Sequence, residues 1–147
     1  MIVRMRFLGP RSRAHWLWMA GAALACLGLI VLGLATPSLG GSGTHVQFGL
    51  PPCAAMKLFG LPCPGCGVTT SVALAADGRF AASLSNQPFG LALAACSAAF
   101  VAWALLAHLS GRDLHGDMRR LNRRWVYVTL AVVFAGAWVF KLWKTLA

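Results

Sequence analysis

Acidic residues are almost missing from this sequence: it has three Asp and no Glu, against thirteen Lys and Arg. Paired-carboxylate hydrolysis and carboxylate cages for Mg²⁺ or Ca²⁺ therefore lack their raw material. Charge of any sign is scarce, at 11% of residues, while 59% are apolar and mean hydropathy is +0.70. That balance excludes an ordinary water-soluble globule, and it excludes disorder, which needs low hydrophobicity. The chain also lacks a Walker motif, a Rossmann fingerprint and any Ser/His/Asp spacing. With 147 residues there is room for one domain at most. The net charge of +10 does not point to nucleic acid, because the basic residues flank apolar runs as membrane-topology signals do.

What is present is long uncharged segments. Residues 14–35 carry no formal charge and open with Trp16 and Trp18. Such a run crosses roughly 30 Å of hydrocarbon, and it exceeds the 7–15 residues of a signal-peptide core, so an uncleaved span is expected. A second span is expected at 88–109 and a third at 125–145, with Lys141 and Lys144 snorkelling to the far interface. Arg4, Arg6, Arg11 and Arg13 precede the first span, and Arg112, Arg119, Arg120, Arg123 and Arg124 fill the 110–124 loop. Both regions are expected in the cytoplasm, which leaves residues 36–87, with only Lys57 and Arg79 as bases, outside. The rival is a fourth span near 61–80. Gly90, Ala94, Ala98 and Ala102 recur every four residues, a spacing at which helix backbones approach closely in lipid, so this face is a candidate contact for other membrane proteins. The lipid bilayer itself is the first expected partner.

Three of the five cysteines fall within 14 residues: Cys53, Cys63 and Cys66. Cys26 and Cys96 lie inside spans and read as small hydrophobes. Pro64 fixes one φ of the Cys63–Cys66 turn, and Gly65 and Gly67 permit positive φ, so two sulfurs are set side by side. Pro51, Pro52 and Pro62 bracket Ala54 to Gly60, which can fold back as one or two helical turns and bring Cys53 to the others. Three chemistries fit. In an oxidising compartment a structural disulfide, Cys53–Cys63 or Cys53–Cys66, staples the segment. Thiol–disulfide exchange fits a Cys-x-x-Cys at the start of the helix expected over 68–76. A metal site fits Cys53, Cys63 and Cys66, with zinc or iron as the ion, and needs a fourth ligand such as His45 or water. Pro64, Gly65, Gly67, Thr69 and Thr70 are the candidate pocket around the sulfurs.

The pattern Cys53, Gly60-Leu61-Pro62-Cys63-Pro64, Cys66-Gly67-Val68-Thr69, then Gly78, Phe80, Ala82 and Pro88, resembles the bacterial membrane-protein family called domain of unknown function 2752. Thr70 stands where that family usually has Arg, and Gln87 where Asn is common. The resemblance implies a small polytopic membrane protein in the bacterial inner membrane and brings no established activity.

Other polar residues read as local structure. Thr69, Thr70 and Ser71 are expected to cap the 68–76 helix. Asp77 and Arg79 form a turn with a local ion pair, His15 and His108 sit at an interface, and His115, Asp113 and Asp117 belong to a solvated loop. The expected fold is thus an all-α membrane protein forming a single membrane domain over 1–147. Three transmembrane helices are expected, with a Pro/Cys-rich re-entrant or interfacial segment (50–87) between the first and second. No general acid or base stands beside the sulfurs in sequence except Lys57. The functional reading therefore leans to a non-catalytic membrane module, subunit or assembly factor without a cofactor, the alternative being a thiol-redox or metal-handling protein.

Overall fold

The computed structural model describes residues 12–121 and 124–146. Arg4, Arg6, Arg11 and Arg123, which enter the orientation argument, lie outside the described residues. The described residues form seven α-helices and one 3-10 turn, and no strand. Among the described residues three helices are long and apolar enough to cross a membrane: α1 (Arg13–Gly33), α5 (Pro88–Leu109) and α7 (Arg124–Leu146). They match the expected spans to within two residues at each end.

Local chemistry sets the boundaries. Ser12 caps α1, its Oγ accepting from His15 N at 3.2 Å. Pro88 opens α5 with its φ already helical. Gly111, at φ +71°, ends α5 in the left-handed region, and Arg112 N donates back to Ala107 O. The large side chains Leu17, Leu24, Leu27 and Ile30 of α1 and Val132 and Val139 of α7 are exposed, as lipid-facing residues of a span should be.

Between α1 and α5 the chain makes a 3-10 turn (Thr44–Phe48), α2 (Ala54–Phe59), α3 (Val68–Ala76) and α4 (Phe80–Asn86). No helix near 61–80 is long enough to be a fourth span: α3 has nine residues. Thr70 to Ala75 are all buried, because α3 is wedged against α1, α4 and α5. Val72, Ala75 and Ala94 form its core with Leu29, Leu32 and Leu91. The wedge needs small residues. A Cβ built on Gly90 would lie 2.5 Å from Ser71 Cβ and 2.8 Å from Val68 O. Gly90 and Ala94 of the small-residue face are therefore consumed inside the molecule, while Ala98 and Ala102 stay exposed.

The 110–124 region departs from the expected solvated loop. It folds as α6 (Leu114–Leu121), where Leu114 is fully buried against Ala22, Ala104 and Ala107. Arg112 forms a two-pronged ion pair with Asp117 at 2.9 and 3.1 Å. Nor are the two span histidines simple interface residues. His15 is fully buried, accepts from Leu114 N at 3.2 Å through Nδ1, and places Nε2 3.2 Å from His108 Nδ1. Asp113 accepts from Ser12 Oγ at 3.2 Å. Asp77 and Arg79 form no ion pair; the turn is held by its backbone, Arg79 N donating to Leu74 O.

The alternation of spans brings the C-terminal ends of α1 and α7 to the same end of the bundle as the N-terminal end of α5. There α7 meets residues 36–87. Phe134 packs edge-on to Phe89 at 5.0 Å, and Trp138 Nε1 donates to Pro62 O at 3.2 Å. Lys141 does not snorkel. It is 8% exposed and turns inward, donating to Asn86 Oδ1 at 2.8 Å and Gly41 O at 3.3 Å.

Candidate functional site

The cysteine segment is shaped by its own backbone. Cys53 is the N-cap of α2, and Lys57 N donates to Cys53 O at 3.1 Å. Two turns then follow in succession: Cys66 N donates to Cys63 O at 2.9 Å and Val68 N to Gly65 O at 3.2 Å. Gly67 starts α3 at φ +86°, a conformation that L side chains rarely adopt. A Cβ there would also lie 2.8 Å from Gly41 O and 3.2 Å from Lys141 Nζ.

The α4–α5 junction holds this turn in place. Asn86 Nδ2 donates to Gly67 O at 3.1 Å and to Ser71 Oγ at 2.9 Å. Gln87 Nε2 donates to Pro64 O at 3.4 Å. The fully buried Gln87 leaves its Oε1 without a hydrogen-bond partner among the described residues. Ser71 and Ser83 exchange hydroxyl-to-carbonyl bonds across α3 and α4, at 3.2 and 2.7 Å. The capping role expected of Thr69, Thr70 and Ser71 is not what forms: α3 has no side-chain cap. Thr70 points instead at Thr44, Oγ1 to Oγ1 2.8 Å, and is fully buried. It ties α3 to the 3-10 turn rather than lining a pocket with the sulfurs. Pro64 and Thr69 are half-buried and Gly65 is exposed.

All three sulfurs meet. The Sγ atoms of Cys53, Cys63 and Cys66 lie within 4.8 Å of one another. Cys63 Sγ donates to Cys66 Sγ at 3.3 Å, well beyond the roughly 2.05 Å of a disulfide. All five cysteines are free thiols, so neither expected disulfide is formed. The three thiols are not equivalent. The Met56 backbone N–H, then the Cys66 and Cys63 thiols, stabilise the Cys53 thiolate and hold its pKa down to about 6. Burial pushes the Cys66 thiol up to about 12, and the thiols of Cys53 and Cys63 beside it add to the rise. Three thiols this close together have the chemistry to hold one thiophilic ion, or to act as a pair plus a third attacking sulfur.

Beside the trio lies a cavity of about 250 Å³ lined by Cys53, Cys66, His45, Lys57, Ser42 and Met56 among others. His45 faces it but stands outside the sulfur trio, with Nε2 3.2 Å from Pro51 O. Sequence reasoning missed Asn86, Ser83, Thr44 and Trp138, and it read Ser71, Gln87 and Lys141 for other roles. Only the Asn86–Gln87 pair carried a hint, by preceding the Pro that opens a span.

No curated protein and no solved structure matches the chain. Residues 53–108 do match one family model, and they run from the first thiol of the trio through the α3 wedge nearly to the end of α5. This is the family that the cysteine pattern resembles, so that over residues 53–108 the chain is similar to the family described as protein of unknown function (DUF2752).

Proposed function

We propose that this multi-pass membrane protein holds a thiophilic metal ion, zinc or another soft ion, at a three-thiolate site formed by Cys53, Cys63 and Cys66. The observation that carries this reading is the convergence of three sulfurs, from two separate pieces of chain, to within 4.8 Å. Thiolates about 2.3 Å from a tetrahedral ion stand roughly 3.8 Å apart, so the trio needs only small adjustments. A tetrahedral ion has a fourth position, which the 250 Å³ cavity can supply with water or, after its bond to Pro51 is given up, with His45. The Cys53 thiol, already near neutrality, is the first to ionise and the natural entry point for the ion.

The site works at the outer face of a bacterial inner membrane, in a segment that packs back against the spans. The Arg-rich 110–124 region supports that orientation, as does the near absence of bases in 36–87. The site is a resident centre of a small membrane subunit or assembly factor rather than a hydrolytic one, since among the described residues no carboxylate lines its cavity.

The test is metal analysis of protein purified anaerobically, followed by cobalt(II) substitution. One ion per chain and thiolate-to-cobalt charge-transfer bands are expected for the natural sequence and for C26A and C96A. Both should vanish in C53S, C63S and C66S. Metal content no higher than in the triple Cys→Ser variant overturns the reading.

A second reading is favoured by the depressed Cys53 thiol: after an external two-electron oxidant has joined Cys63 to Cys66, the Cys53 thiolate attacks one of the two sulfurs, the Cys63–Cys66 bond breaks and the other sulfur leaves as thiolate. It predicts that mild oxidation puts one disulfide within the trio, Cys63–Cys66 or Cys53 with one of them, and leaves one of the three thiols open to alkylation.

A further inference from the structure

A second cavity, of about 410 Å³, opens at the same end of the bundle. It is framed by residues 37–41, α4 and the last turns of α7. Among the described residues three cations line it, Arg79, Lys141 and Lys144, and no acid does. We infer that this cavity binds a phosphate-bearing anion.

Lys141 makes the argument. Its side chain is buried, yet its two hydrogen bonds go to neutral acceptors, Gly41 O and Asn86 Oδ1. Carbonyl oxygens satisfy an ammonium's N–H groups but carry no countercharge, and the one anion-forming side chain whose charge bears on it, Cys66, is held as a neutral thiol by burial; a buried charge without a countercharge is costly. Lys144 sits three residues on, on the same helix face, and donates to Ser85 O at 2.7 Å, another neutral acceptor. Like charges at that spacing repel. Arg79 brings a third positive group from the start of α4 and forms no ion pair among the described residues; Asp77, the nearest acid in sequence, does not line the cavity. One fork-shaped donor and two point charges converging from separate elements suit an oxyanion with several oxygens. Pro37, Leu39, Leu74 and Ala82 give the cavity apolar walls for the body that carries the phosphate. The headgroup of an anionic phospholipid and a water-soluble phosphate offer the same chemistry.

The experiment compares the full chain with R79Q, K144Q and the double variant, all keeping Lys141, which helps hold the fold. One arm titrates inorganic phosphate against sodium chloride of equal ionic strength. The other reconstitutes the protein in phosphatidylcholine vesicles with and without phosphatidylglycerol. Thermal midpoint is read in both. The natural sequence should be stabilised in at least one arm, with apparent affinity weakened roughly tenfold or more in the double variant, as expected for losing two charge-assisted contacts. Stabilisation by inorganic phosphate identifies a soluble anion, and stabilisation by phosphatidylglycerol alone identifies the lipid. No effect in either arm, or an effect of equal size in R79Q/K144Q, overturns the inference.

Discussion

Gly90→Ala is the most direct test of the wedge that positions the cysteine turn. The added methyl would lie 2.5 Å from Ser71 Cβ, 2.8 Å from Val68 O and 3.3 Å from Val68 Cα. Carbon atoms in contact prefer 3.5–4.0 Å, so α3 and α5 must part by about 1 Å. Neither obstacle is the free end of a flexible side chain: one is backbone and the other a Cβ held by the Ser71–Ser83 and Ser71–Asn86 bonds. Overpacking of this kind costs about 1–3 kcal/mol, and the rigidity here places the effect near the top of that range. At this chain length that is a fall of roughly 4–12 °C in the thermal midpoint. The internal control is Gly28→Ala, whose new methyl meets nothing within 4 Å and which gains helix propensity, so its midpoint should hold or rise. The assay is tryptophan fluorescence of both variants in the same neutral detergent. A Gly90→Ala midpoint equal to or above that of Gly28→Ala would refute the close approach of α3 to α5.

Cys53 should react with iodoacetamide at a rate that climbs through about pH 6 and then levels, while Cys66 stays slow across the neutral range. The same depressed thiol makes folded stability rise with pH between about 6 and 9.0 and fall away as pH drops through 6; Cys53→Ser should flatten that slope. Trp138→Phe removes the donor to Pro62 O and should cost about 1 kcal/mol by chemical denaturation, whereas Trp143→Phe, at an exposed position, should be silent. Lys141→Met strips partners from Asn86 Oδ1 and Gly41 O and should lower the folded yield, at a cost of about 1–3 kcal/mol; an unchanged midpoint would count against the inward turn of this lysine.

Hydropathy alone located the three spans, because in lipid the requirement for some twenty uncharged residues is written into consecutive positions. The Cys63–Cys66 turn and the short α2 were legible for a similar reason: Pro and Gly act on their own backbone, so Pro62, Pro64 and Gly67 carry local information. What sequence could not show is pairing at a distance. His15 and His108 are 93 residues apart and Lys141 and Gly41 are 100 apart. No periodicity links such positions. A lysine near the end of an apolar run looks the same whether it reaches toward water or turns back to Asn86. Thr70 was misjudged for a related reason: a hydroxyl in a first helical turn has a ready local partner, but the partner it takes is Thr44, 26 residues away.

The thiol site has a consequence for how the protein is made. A chain is synthesised from its N-terminus, and its domains tend to fold in that order. Here the segment bearing Cys53, Cys63 and Cys66 is complete long before its outer buttress exists. Trp138, which grips Pro62, and Lys141, which reaches Asn86 and Gly41, arrive only with the last helix. Until then the three sulfurs lack one wall of their surroundings. Maturation of the site is thus coupled to insertion of the final span, and a chain stalled before residue 138 would present its thiols in an unbuttressed loop.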